Sequence, residues 1–402
     1  MTSHKLKARR GTTLKLKQQP EDFQVEELTD VELSEIGTFA LYRLEKTGWS
    51  TPDALAAISR RWKIDLHRVS YGGLKDRHAQ TIQYFTILHG PRRNLQHAGV
   101  KVSYLGQTRA AYGPQDIRAN AFRVTLRAMA PNQIPALSES VEEVRRDGAP
   151  NYFDDQRFGS VEQGGEFIGR LLVKGKFEEA LQLALAGPYE YDRADQKKEK
   201  ALLLAHWGNW ARLMRELRHG HARILVNYLV SHPKDFRGAV ARLRPELRGL
   251  YLSAYQSYLW NRMLAEALRT YCRPDQLVTV RLRLGDAPMH RGLDAGQRDK
   301  LTELQLPLPS ARLKLAADSP ALLYVKAVLQ EEGLQLDELK VRGVRELFFS
   351  RGERAALCRP TRMTFDALPD DRHPGKQAAR LAFELPRGSY ATLIVKRVTA
   401  AH

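Results

Sequence analysis

The sequence predicts an α+β protein in which a β-rich domain is interrupted by a more helical insertion and then resumed. Two observations carry this: the first 150 or so residues alternate strand and turn signals, and after about residue 160 long helical segments without internal proline take over. A third is the return of strand signals at Leu277–Leu284 and again at Tyr390–Val398. In order, Phe39–Leu44 and Thr81–Leu88 are rich enough in β-branched and aromatic residues to form strands. Between them, Thr51-Pro-Asp53 reads as an N-cap with proline at the first helical position, opening a helix whose Leu55, Ile58 and Trp62 share one face. Ala121–Arg127 alternates, with Phe122, Val124 and Leu126 on one face and basic or small residues on the other. Lys176–Ala186, Lys197–Arg218 and Glu246–Tyr271 are expected helices, and in the last the stripe Leu252, Tyr255, Leu259 and Met263 is expected in a core.

At 402 residues the chain exceeds the usual size of one core, so two domains are expected. A hydrophobic fraction of 43% argues against disorder. The net charge of +18 favours a polyanionic partner, because phosphates release counterions on meeting Lys and Arg, although a solvated basic surface fits the charge as well. The cysteines, Cys272 and Cys358, are far apart and in no metal-like spacing, which suits a reducing cytoplasm. Apolar runs such as Ala201–Ala205 are too short to cross a bilayer, and the basic start Met1–Arg10 lacks the apolar core of a secretory signal.

Several chemistries are set aside. There is no phosphate-binding P-loop, no dinucleotide fingerprint in Gln163–Gly169 and no nucleophile elbow. His219 and His221 flank one glycine without further ligand spacing, so no metal site is expected. What remains is Tyr71-Gly-Gly-Leu-Lys-Asp-Arg-His-Ala-Gln-Thr81. Its two glycines permit a turn that other residues resist, and Asp76 then sits between Lys75 and Arg77 just ahead of a strand. Such a loop can present one carboxylate to a cleft with cations nearby to keep it charged, or it can be an ordinary polar turn.

Gly73-Leu-Lys-Asp-Arg-His-Ala-Gln-Thr81 resembles the Gly-x-Lys-Asp-[Lys/Arg]-x-Ala-x-Thr signature around the catalytic aspartate of the TruD family of pseudouridine synthases. Pro20-Glu-Asp-Phe-Gln-Val-Glu-Glu27 is similar to the family's N-terminal motif, with Lys17 at the spacing of its upstream lysine. Ala119–Arg127 resembles its Gly-Asn-x-Phe strand, Asn151–Gly159 its Asn-Tyr-Phe-Gly-x-Gln-Arg-Phe-Gly motif, and Leu385–Thr392 its closing strand motif. These matches follow the family's order from about residue 15 to 398, and are weak only through the helical insertion. Asp154 and Ala119 stand where the pattern usually carries glycine, which puts a local turn or an approach to RNA in question.

The resemblance implies a catalytic domain built on a mixed, largely antiparallel sheet with flanking helices, in two parts, 1–158 and 346–402, around an α/β TRUD insertion at 159–345. It implies isomerisation of uridine to pseudouridine at position 13 of tRNA, the activity associated with bacterial members, with Asp76 as catalytic carboxylate and no metal or organic cofactor. By the same resemblance Phe122 is the platform for the target base, Asn120 a base or loop contact, Lys17 a partner of Asp76, and Phe23 a pocket wall. Lys75 and Arg77 are read as loop or phosphate contacts, and Asn151, Gln156, Arg157 and Phe158 as braces of the domain junction. The expected partner is tRNA, without membrane or protein partner, for a cytoplasmic monomer. The same chemistry on another RNA, and a catalytically silent RNA-binding protein, are the alternatives; the intact Gly-x-Lys-Asp loop speaks against the second.

Overall fold

A computed structural model of the chain describes residues 5–7, 13–15, 18–161, 165–189, 192–344 and 346–400. The chain divides into two compact units, one of Met1–Ala149 with Cys358–His402 and one of Pro150–Leu357.

The first unit is built on β1 (Phe23–Thr29), β2 (Phe39–Thr47), α1 (Thr51–Trp62), β3 (Gln80–Leu88), β4 (Val100–Thr108), β5 (Ile117–Met129), α2 (Ile134–Asp147), β6 (Thr361–Pro369), β7 (Gln377–Pro386) and α3 (Ala391–Thr399). These strands lie in one sheet in the order β6-β7-β5-β1-β3-β2-β4. All their pairings are antiparallel except β1 with β3, which is parallel at Gln24–Glu26. The mixed, largely antiparallel sheet is therefore as expected. The register places Phe383, Phe122, Val25, Thr81 and Lys46 in one row across it, so these side chains share a face.

That face is where the core lies. At one end Phe122, Val124, Leu126, Leu381 and Phe383 pack with Leu137, Val141 and Val144 of α2 and Ile394, Val395 and Val398 of α3. At the other end Ala40, Tyr42, Leu44, Phe85 and Ile87 pack with Leu55, Ile58 and Trp62 of α1, the stripe read from the sequence. The opposite face is solvated except where Leu41 packs with Tyr112 and Ile117, and it carries a lattice of partly exposed charge: Arg43 with Glu26 and Glu45, Lys101 with Glu45 at 3.1 Å, and Arg362 with Glu384 at 2.9 Å. One solvated and one buried face is the usual economy of an antiparallel sheet.

Several elements depart from expectation. The cap of α1 is Ser50, whose hydroxyl accepts from Asp53 N at 3.2 Å, and this leaves Thr51 Oγ1 for other partners. Tyr390–Val398 is helical, not a strand: Ala391, Ile394, Val395 and Val398 are spaced i, i+3, i+4, i+7 and bury one stripe, which overrides the β preference of their branched side chains. The motif Leu385–Thr392 therefore spans the end of a strand, a turn at Gly388 (φ 85°) and the start of a helix. Arg127 does not face solvent as its alternation suggests; its guanidinium is buried against Asp22 at 2.7 Å, Asp370 at 3.1 Å and Asp371 at 2.5 Å. That pairing holds the turn ahead of β1 to the β6–β7 hairpin.

The second unit is mainly helical, around the long helix Pro245–Tyr271, in which Leu252, Tyr255, Leu259 and Met263 are buried as expected. Lys197–Arg218 is not one helix but two, Ala194–Ala205 and Trp210–Glu216, broken at Gly208 (φ 87°) and restarted by Asn209 Oδ1, which accepts from Arg212 N. The strand expected to Leu284 ends at Leu282 and turns into an antiparallel partner, Gly285–His290. Arg354 donates to Asn151 O at 2.8 Å and to Asn151 Oδ1 at 2.6 Å while its guanidinium lies over Phe153, so Asn151 organises this unit's own interior. Asp154 is buried and extended (φ −84°), and Ala119 is buried in β5, so neither position requires glycine and the Asp154 charge is not on the surface. No helix among the described residues is long and apolar enough to cross a membrane.

Candidate active site

Between the two apolar clusters the shared face turns polar. Moving from Phe122 to Asn120 on β5, from Val25 to Glu27 on β1 and from Leu44 to Lys46 on β2, each strand exchanges an apolar position for a polar one on the same face. The loop between Tyr71 and Gln80 is laid over this patch, and three anchors hold it there. Gln83 Nε2 donates to Gly73 O at 3.3 Å. Lys75 N donates to Thr51 Oγ1 at 2.9 Å, and Thr51 donates in turn to Gln83 Oε1 at 2.8 Å. Lys46 Nζ donates to Lys75 O at 3.2 Å and to Asp76 O at 3.0 Å. Asp76 is half-buried, and its Oδ1 accepts from His78 N at 2.9 Å, which fixes the carboxylate rotamer as an Asx-turn does.

Two buried charges underlie the loop. Glu27 is fully buried; it pairs with Lys75 at 2.7 Å and accepts from Tyr84 N at 3.1 Å and Tyr112 OH at 3.2 Å. Burial and the neighbouring Glu27 carboxylate raise the Tyr112 phenol above its ordinary range, so it stays a donor. Lys75 Nζ also donates to Asn120 Oδ1 at 3.1 Å, which completes a chain Glu27–Lys75–Asn120. Lys46, 1% exposed, is brought down to about 8 by desolvation, with the Asp76 charge acting the other way and Lys75 adding to the fall.

The residues singled out from sequence are placed as follows. Asp76, Lys75 and Asn120 are brought together, with Lys75 committed to the loop and to Glu27. Phe122 is 9% exposed, stacked on Phe383 at 5.6 Å and edge-on to Phe23 at 6.2 Å, so both phenylalanines sit in the core cluster next to Asn120. Arg77 donates to Gly48 O at 3.1 Å and is exposed. Lys17 lies outside the described residues. Lys46, Glu27, Thr51 and Gln83 were not singled out. A signal existed for two of them, since Lys46 ends the buried series Ala40, Tyr42, Leu44 and Glu27 ends the series Phe23, Val25; a charge at a buried period-two position implies a dedicated partner.

The loop glycines do a different job from the one expected. Neither has positive φ. A Cβ on Gly72 would lie 2.6 Å from Ile117 Cδ1 and 3.0 Å from Tyr112 Cε1, whereas a Cβ on Gly73 would meet nothing within 4 Å. Ile117 and Tyr112 are themselves packed with Leu41 and cannot simply withdraw. Gly72→Ala is expected to cost about 1–3 kcal/mol by overpacking and to slow turnover by displacing the loop. Gly73→Ala is expected within about 0.5 kcal/mol of wild type. Thermal midpoints and single-turnover rates of the pair check this, and equal effects would refute it. Two open clefts, of about 140 and 320 Å³, lie on the solvated face around Glu45, Gln80 and Lys101 and around Gln24, Arg123 and Glu384, and Asp76 lines neither.

The buried polar patch between the two helix-covered clusters, with one carboxylate held above it, is the feature that sets this part of the fold apart as a candidate active site. The family model of tRNA pseudouridine synthase D (TruD) matches residues 3–398. A Methanocaldococcus jannaschii protein named as a probable tRNA pseudouridine synthase D 2 is 30% identical over 396 residues, spanning 96% of this chain and 92% of the relative. The Aquifex aeolicus tRNA pseudouridine synthase D is 28% identical over 96% of this chain and 98% of its own length. A crystal structure from Methanosarcina mazei assigned to tRNA pseudouridine synthase D (TruD) superposes with a TM-score of 0.71 at 27% identity, over 95% of this chain and 92% of that one. The chain belongs to the TruD family of pseudouridine synthases.

Proposed function

We propose that the chain is a tRNA pseudouridine synthase that isomerises uridine 13, with Asp76 as its catalytic carboxylate. The observation that carries this is the Asp76 loop itself, a half-buried carboxylate fixed by His78 N and anchored from below in a chain of this family. The target nucleotide has to leave its stack to reach such a carboxylate. The N1–C1′ glycosidic bond then breaks, the base turns within the site and a new bond forms between C5 and C1′, while the C5 proton is lost and N1 gains one; a carboxylate suits the covalent and proton-transfer roles of that sequence. Asn120 and Lys17 are assigned to the base and to Asp76, Phe122 and Phe23 to the apolar wall, and Lys75 to the support of Asn120. The net charge of +18 suits a polyphosphate partner, and the cytoplasm, as a monomer, is the proposed setting.

The test uses unmodified tRNA transcripts and purified protein, with pseudouridines mapped along the product. One pseudouridine at position 13 is expected, and none in a transcript carrying cytidine there. Modification at another position, or of another RNA in preference, would move the substrate assignment; no modification of any tRNA would overturn the proposal.

A further inference from the structure

We propose that Lys46 is a positioning residue for this reaction, its buried ammonium clamping the main chain on either side of the Asp76 side chain so that the carboxylate is presented at one fixed angle. The inference rests on the pseudouridine synthase reading above. An ammonium has three N–H donors and no acceptor. Here each has a carbonyl: Trp49 O at 2.8 Å, Lys75 O at 3.2 Å and Asp76 O at 3.0 Å. These come from the turn before α1 and from the catalytic loop, so one side chain of β2 joins two segments that have no ladder between them. At 1% exposure Lys46 is out of reach of an RNA, and its effect must pass through the loop.

The charge is part of the device. A neutral amine keeps two donors and loses the attraction to three carbonyl dipoles, so the clamp is complete only in the ammonium form. Among the described residues the charged groups acting on Lys46 are Asp76, which favours the ammonium, and Lys75, which opposes it and is itself paired with Glu27. The positions facing it from the neighbouring strands, Thr81 and Val100, are uncharged. With desolvation the ammonium gives up its proton near pH 8, against an ordinary value of 10.5. The clamp therefore opens as pH rises through about 8.

The test measures single-turnover rates on saturating tRNA from about pH 6.5 to 9.5, with tRNA affinity measured in parallel, for wild type, Lys46→Arg and Lys46→Met. The wild-type rate is expected to fall above a midpoint near pH 8 while affinity holds. Lys46→Met should lose about 100-fold in rate, the cost of a misplaced reacting group, with affinity changed less than about threefold. Lys46→Arg, whose guanidinium keeps its charge, should retain part of the rate and carry the alkaline fall beyond the measured range. A wild-type rate flat to pH 9.5, or the same fall near pH 8 in Lys46→Arg, would overturn the clamp, and neither depends on Lys46→Met folding. Amide hydrogen exchange separates the clamp from the reaction. In the variants the amides of Lys75 and His78 should lose protection while the β2–β3 ladder keeps it; unchanged loop protection would overturn the proposal. If wild type modifies no tRNA, the functional reading fails while the exchange result still decides on Lys46.

Discussion

Asp76→Asn is expected to reduce pseudouridine formation by about 10³-fold or more while leaving tRNA affinity within about threefold of wild type. The substitution is close to isosteric. An amide oxygen can still accept from His78 N, so the Asx-turn survives, and Lys46 holds main-chain carbonyls that the change does not touch. What is lost is the negative charge and with it the ability to attack or to carry a proton. Product mapping on tRNA together with equilibrium binding checks both halves. Activity near wild type would remove Asp76 from the chemistry, whereas a parallel loss of binding would make it a structural residue of the loop. Lys46 would also lose the one charge among the described residues that supports its ammonium, so any residual activity should decline at lower pH than in wild type.

Glu27→Ala is expected to destabilise the protein by about 3–5 kcal/mol, the range for breaking a buried ion pair by removing one partner. The physical reason is asymmetry. Paired, Glu27 and Lys75 offset part of each other's desolvation at 2.7 Å; alone, the Lys75 ammonium keeps Asn120 as its side-chain partner and is 11% exposed. Tyr84 N and Tyr112 OH also lose their acceptor. For a unit of this size the thermal midpoint should fall by about 10 °C. Glu27→Gln keeps an acceptor for Tyr84 N and should cost less than half as much. A Glu27→Ala midpoint within about 2 °C of wild type would show that Lys75 finds another partner, and the chain from Glu27 to Asn120 would lose its structural role. Turnover should fall with the first substitution even below the unfolding range, because Asn120 is held through Lys75.

Much of this site is local and could be read along the chain. The strand that holds Asn120 and Phe122 declares itself by alternation. The helix opening at residue 51 declares itself by proline and an apolar stripe, although its cap proved to be Ser50. The loop Tyr71–Thr81 declares itself by a carboxylate flanked by cations after two glycines, and the resemblance rests on that same stretch. Local preference failed where burial outweighed it. Tyr390–Val398 has a strand's composition and a helix's spacing, and the spacing prevailed because a stripe was needed against the Phe122 cluster. Lys197–Arg218 has a helix's composition throughout, yet the chain turns at Gly208.

By itself, then, the sequence determined that Asp76 sits on a constrained polar loop ahead of a strand, because the residues that make such a loop are neighbours in the chain. It did not determine what holds that loop. Lys46 reaches it across 30 residues, Glu27 meets Tyr112 across 85, and Lys75 meets Asn120 across 45. A charge inside a protein is tolerable only through what stands opposite it, and for Lys46 and Glu27 the opposite group is supplied by the sheet register and the loop laid over it. Only the tertiary structure could decide that two charges on an apolar face belong beneath the candidate catalytic carboxylate.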